Sequence, residues 1–190
     1  MENQIHSKAE LKEFICADAS CLNWQSVSKG DRLYLKFTND TQYLILKYLK
    51  LARTEEFFSG RGKSKLLILR LWSVKRRKNR LGQRLNIELY TKCFGKGLTV
   101  SHGDIIVNPS VRFGEHCTLH GQNCIGNNGT VDVVPKGGDD VDIGIGAKLI
   151  GDITLGNDIK IGANAVVNKS FPEDHLLLVG IPAISKGRKD

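Results

Sequence analysis

Long apolar runs are missing from this sequence. None outlasts Leu66-Leu67-Ile68-Leu69, far short of the roughly 20 residues that span a bilayer. The opening Met1-Glu2-Asn3-Gln4 lacks a basic segment leading into a hydrophobic one, so no signal peptide is read and a cytoplasmic location is expected. Cysteine is sparse, and no two residues are spaced C-x-x-C. Cys16, Cys21, Cys93, Cys117 and Cys124 are odd in number, which argues against a disulfide framework or a zinc knuckle and for reduced thiols, most of them buried as small apolar residues. What is present, 41% hydrophobic and 25% charged residues in 190, is ordinary for a soluble globular chain and excludes wholesale disorder.

Acid is scarce only at the front. Residues 1–97 hold twenty Lys/Arg against nine Asp/Glu, whereas the remainder holds eight against eleven. Glycine is divided the opposite way, with sixteen of twenty lying between Gly95 and Gly187. The two halves therefore read as a small α-helical region, residues 1–84, and a turn-rich region, residues 85–190. Ser7-Lys8-Ala9-Glu10 has the form of a capping box and predicts a helix from Lys8 to Ala19. Helical spacing of apolar residues predicts two more over Thr41–Arg53 and Ser64–Leu81, with Gly82 as the stop. Lys75-Arg76-Arg77-Lys78 lacks the interleaved aromatics of a nucleic-acid site and reads as a solvated helix face. No nucleic-acid partner is expected; the basic front suits an anionic ligand, a membrane surface or a glycolipid.

An internal period of six settles the architecture of the second half. Hexads begin at Val107, Phe113, Leu119, Ile125, Val131, Gly137, Ile143, Leu149, Leu155, Ile161 and Val167, and ten of these eleven are aliphatic or aromatic. Glycine follows at 114, 126, 138, 144, 156 and 162, and the fifth position is small or aliphatic at Val111, Cys117, Val141, Ala147, Ile153 and Ala165. A helix cannot produce this period. It fits short parallel strands wound into a triangular prism, three hexads to a coil, with the aliphatic residue inward and the next glycine relaxing a corner. About four coils fit between Phe94 and Pro172. From Phe94 to Val107 there is one residue more than two hexads, and the excess falls in Val100–Ile106, around His102. An irregularity in a strict repeat is where a side chain is re-aimed. The hexad at Val131, followed by Gly137-Gly138-Asp139-Asp140, reads as an excursion loop.

The pattern resembles the left-handed parallel β-helix of the hexapeptide-repeat acyltransferases, a mainly β fold, and within them the serine O-acetyltransferase branch, nearest its short polysaccharide-cluster members. The resemblance rests on Gly95-Lys96-Gly97-Leu98 followed by His102, on Ile105-Ile106-Val107-Asn108, on Cys117-x-x-His120, on Ile125-Gly126-Asn127-Asn128-Gly129, and on the ending Val179-Gly180-Ile181-Pro182-Ala183. It implies acetyl transfer from acetyl-CoA to a hydroxyl, without a metal, at sites between the subunits of a homotrimer. His102 stands at the family's catalytic histidine, which takes the acceptor's proton as its oxygen attacks the thioester. Glu88 is the candidate acidic partner. His120 and Ser101 are expected to line the acceptor site. Gly146, Ala147, Lys148, Asn164 and Ala165 are expected beside the pantetheine arm, and Lys186, with Arg188 and Lys189, at the coenzyme's phosphates. His116 and His175 are read as exposed, without a role.

Departures from the family pattern bear on the acceptor. The residue before His102 is Ser101, where the serine enzymes carry aspartate, and their D-R-H-P-K loop reads here as Asp132-Val133-Val134-Pro135-Lys136. A site without those cations holds an amino-acid carboxylate poorly. The favoured acceptor is therefore a sugar hydroxyl in capsule or exopolysaccharide synthesis, with L-serine in cysteine biosynthesis as the alternative. Two other classes share the prism: a zinc hydrase using His102, His116 and His120, and a scaffold without chemistry.

Overall fold

The computed structural model of the chain describes residues 5–61, 64–129 and 133–187. Four helices come first: α1 (Lys8–Cys21), α2 (Lys29–Phe37), α3 (Thr41–Ser59) and α4 (Lys65–Leu85). The Ser7 cap forms as predicted, Ser7 Oγ accepting the Glu10 N–H, while the Glu10 carboxylate accepts the His6 N–H and the Ser7 hydroxyl. The three expected helices all exist, each longer at its C-terminus. Gly82 does not stop α4. It lies buried inside the helix, where a Cβ would stand 2.7 Å from the Ile87 carbonyl, and the stop is Asn86, left-handed at φ 53°. The unexpected α2 has a usable signal in Ser28-x-x-Asp31, whose serine accepts the Asp31 N–H. The basic run on α4 is a solvated face at 75–77, but Lys78 is buried, paired with Glu55 at 2.8 Å.

Eleven short strands follow: β1 (Ile87–Glu88), β2 (Thr99–Val100), β3 (Ile105–Val107), β4 (Thr118–Leu119), β5 (Cys124–Gly126), β6 (Asp142–Ile143), β7 (Lys148–Ile150), β8 (Lys160–Ile161), β9 (Val166–Val167), β10 (Leu177–Val179) and β11 (Ile184–Ser185). They form two parallel faces, β1-β3-β5-β7-β9 and β2-β4-β6-β8-β10, the second edged by antiparallel β11. A third face is built of bridges through Phe94, Phe113, Arg112, Lys136, Thr154, Leu155 and Phe171. This is a parallel β-helix of about five turns, one more than the repeat count gave. The first turn opens at Ile87, ahead of the recognisable hexads, and the last closes through Leu177–Val179.

Inward residues make one continuous core with Ile45, Tyr48 and Leu49 of α3. The helices thus cap the open end of the prism, where an unpaired first coil would otherwise face water. Gly137, the one hexad start that is neither aliphatic nor aromatic, is explained: the Phe113 ring, stacked on Phe94, occupies the space that a Cβ at 137 would need. The glycines after the inward residues do not relax the corners as expected. At Gly114, Gly138, Gly144 and Gly156 a Cβ would come within 2.6 Å of the next coil, so they are required by close approach. The left-handed corner residues are others: Asp104, Gln122, Gly146 and Asn164 on one edge, Gly97, His116, Asp140, Asp158 and His175 on another. The excursion is real. Along the first face, the step from Ile125 to Leu149 takes 24 residues, where that from Leu149 to Val167 takes 18; Val131 and Asp132 lie outside the described residues.

Candidate active site

The residue excess near His102 is confirmed by register. Val100 to Val107 takes seven residues, while Leu119–Ile125, Ile143–Leu149 and Ile161–Val167 each take six. Pairing holds as far as Ser101, whose N–H donates to the Leu119 carbonyl at 2.9 Å. The backbone then turns through Asp104 at φ 60°. The end of α4 docks on this bulge: the Leu85 carbonyl accepts from Asp104 N–H, the Asn86 carbonyl from Ile105 N–H, and Asn86 Nδ2 donates to Asp104 at 2.6 Å. Gly103 is obligatory there, since a Cβ would collide with the Leu85 carbonyl oxygen. The extra residue therefore both seats the helical cap and turns His102 outward, where it is exposed.

One coil further on, Gly121 at φ 113° lies against His102; a Cβ there would stand 2.8 Å from that of His102. His102, His120, Asp142, Gly144, Ile145, Lys160 and Ile161 line one cleft of about 310 Å³. In it His120 Nε2 meets Asp142 Oδ1 at 2.8 Å, both half-buried. The His102 ring forms no hydrogen bond among the described residues, so its nitrogens are available to a ligand. Such a cleft can accept a proton from a bound hydroxyl at His102 while His120, oriented by Asp142, meets a second polar group.

Sequence reasoning thus brought His102 and His120 to one cleft, whereas Ser101, next to His102 on the chain and half-buried, does not line it. Gly121 and Asp142 escaped it; the only signal for Asp142 was its place one coil below Thr118 on an outward hexad position. Glu88 is not brought to His102 within one chain. It stands on β1 opposite Ile106 and faces a separate groove with Gln83 and Tyr90. Nor do the three histidines of the zinc reading converge: His116 sits on the other edge, 3.5 Å from Asp140. His116 and His175 are exposed, as read, and His175 pairs with Asp158 at 2.8 Å.

Gly146 and Asn164 continue the His102 edge, joined by Gly146 N–H to Gly121 carbonyl and Asn164 N–H to Ile145 carbonyl. Ala147 and Ala165 point into the prism and are buried, their N–H groups donating to Gly144 and Gly162. That leaves Lys148, whose ammonium holds the Gln122 carbonyl, and Asn164 as the accessible members. Lys186 is exposed beside β10; Arg188 and Lys189 lie outside the described residues. Val134 is buried and Val133 half-buried, so neither offers a polar contact.

Fold and cleft together define a hexapeptide-type parallel β-helix with a histidine-bearing edge. No family model matches the sequence. The chain is similar to the serine acetyltransferase of Helicobacter pylori, 36% identical over 81 residues, which is 41% of this chain and 47% of the relative; it spans about half the length of the curated relatives it matches or less. Among solved structures it resembles soybean serine acetyltransferase complexed with serine, with a TM-score of 0.71, 22% identity, and coverage of 92% of this chain and 69% of that one. It also resembles a serine acetyltransferase in complex with CoA, with a TM-score of 0.68, 18% identity, and coverage of 94% and 70%. At these identities the structures establish the fold. No helix among the described residues is long and apolar enough to cross a membrane.

Proposed function

We propose that this protein is an acetyl-CoA-dependent O-acetyltransferase that uses His102 as general base on an acceptor hydroxyl. The observation that carries the reading is the cleft itself: an outward histidine at a one-residue excess in the repeat, held against Gly121 and sharing the cleft with a second, aspartate-bound histidine. Similarity to serine acetyltransferases, one of them solved with CoA, supports the donor. In this reading a hydroxyl bound near His120 loses its proton to His102 as the oxygen attacks the thioester carbonyl, and His102 then protonates the departing thiolate. In the same reading Lys148 and Asn164, further along the same edge, would run beside the pantetheine arm, and Lys186 would meet the coenzyme's phosphates. A homotrimer would complete each site; Glu88, the sequence's candidate partner for His102, lines a different groove and is given no part in the step.

For the acceptor we favour a sugar hydroxyl of a capsule or exopolysaccharide intermediate. Val133 and Val134 stand where the resemblance would have basic residues for an amino-acid carboxylate; Lys160 on the cleft rim is a cation that suits a phosphate or a carboxylate and does not separate the two readings. L-serine is the second reading, favoured by the relatives named serine acetyltransferases and by the neighbour solved with serine. The test is thiol release from acetyl-CoA by wild type and His102→Ala, with L-serine in one arm and nucleotide-sugars and oligosaccharides in the other. His102→Ala is expected to lower turnover by about 10²–10⁴-fold. Turnover with serine would replace the sugar reading; equal thiol release by both proteins with every acceptor would overturn the enzyme.

A further inference from the structure

Helix α4 carries eight basic residues and no acidic one over Lys65–Leu85. Lys78 is paired with Glu55, and none of the other seven makes an ion pair among the described residues. The outward face has an axial gradient. Leu66, Leu69 and Trp72 near its start are 60%, 60% and 65% exposed; Arg76 and Arg80 continue the line from Leu69 and Trp72 at helical spacing. Beside them a groove is lined by Trp72, Lys75, Arg76, Asn79, Arg80 and Gln83. An ordinary solvated helix would not leave a tryptophan and two leucines in water next to unpaired cations.

We propose that this face of α4 docks on an anionic lipid surface. Trp72, Leu69 and Leu66 would enter the boundary between headgroups and acyl chains, and Arg76, Arg80 and Lys75 would hold lipid phosphates in the groove beside Trp72. A second copy of this chain is a poor occupant, because a parallel two-fold contact would press one basic row against the other and an antiparallel one would set Arg76 and Arg80 over the apolar end. Nucleic acid is also a poor one: a single aromatic and two leucines make no base-stacking platform. The inference stands apart from the acetyl-transfer reading, since no cleft residue enters it. Its consequence is placement: a chain held at a membrane by α4 would work on acceptors presented there.

The experiment is cosedimentation of the full chain with vesicles of phosphatidylglycerol and phosphatidylcholine mixed, or of phosphatidylcholine alone, with Trp72 emission followed in a Trp24→Phe background. Binding to the anionic vesicles alone, lost on raising salt, with a blue shift of Trp72, is expected. Each arginine neutralised in Arg76→Gln and Arg80→Gln should weaken partitioning about fivefold, and Trp72→Ser should weaken it without changing the salt dependence. Lys12→Gln with Lys50→Gln, exposed lysines of α1 and α3, is the control for bulk charge. No binding, equal binding to both vesicles, an equal loss in the bulk-charge control, or a change in oligomeric state in Trp72→Ser would each overturn the proposal.

Discussion

Arg53 is fully buried, and every one of its nitrogens is engaged. It meets Asp18 at 3.0 Å and donates to the carbonyls of Thr91, Phe94 and Gly95, while Asp18 also accepts the Leu98 N–H. One guanidinium thereby ties α1 and α3 to the first coil, and Phe14 covers it at 4.8 Å. Removing one partner of such a pair strands a charge without solvent. Asp18→Ala should cost about 3–5 kcal/mol in urea unfolding; a loss below about 1 kcal/mol would mean that Glu56, 3.7 Å from the guanidinium, and the carbonyls suffice to hold Arg53. Burial also raises the Cys93 thiol to about 11 and lifts Cys117 further. At pH 8 both stay protonated in the folded chain, so a thiol reagent should modify the exposed Cys16 and Cys21 and reach Cys93 and Cys117 only after unfolding. The expectation that most cysteines are buried holds for those two alone.

The corner at Gly121 joins element to chemistry. Its positive φ and its approach to His102 both exclude a side chain. Gly121→Ala should therefore leave the prism folded by circular dichroism yet move His102, lowering thiol release by about a hundredfold. Unchanged turnover would show that the imidazole does not depend on that corner. At this scale the hexads were legible because an inward aliphatic every six residues has no other regular explanation. The first turn was not, because Ile87-Glu88-Leu89 departs from the six-residue frame and is fixed by pairing with Ile105 and Ile106. Gly82 misled for a related reason: sequence shows a helix breaker, whereas the need for closeness to Ile87 exists only once α4 lies on the prism.

For the whole molecule, cap and prism share one core, while their charges differ in sign and place. Glu88 and His102 line different grooves of the single chain, and the proposed sharing of a site between copies is tested by the oligomeric state. Light scattering at micromolar concentration should return the mass of three chains; a monomer would overturn the shared site.

The sequence by itself determined the prism, its inward column, the bulge at His102 and the presence of a helical front, because each follows from local period, spacing or capping. The tertiary structure alone decided that His120 meets Asp142, that Gly121 supports His102, that Arg53 and Asp18 lock cap to coil, and that Glu88 faces elsewhere. The cleft contacts depend on which residues stack one coil apart, a separation of about 18 residues along the chain that loops and frame slips alter, and the Arg53–Asp18 pair on how two helices pack 35 residues apart; no local preference encodes either.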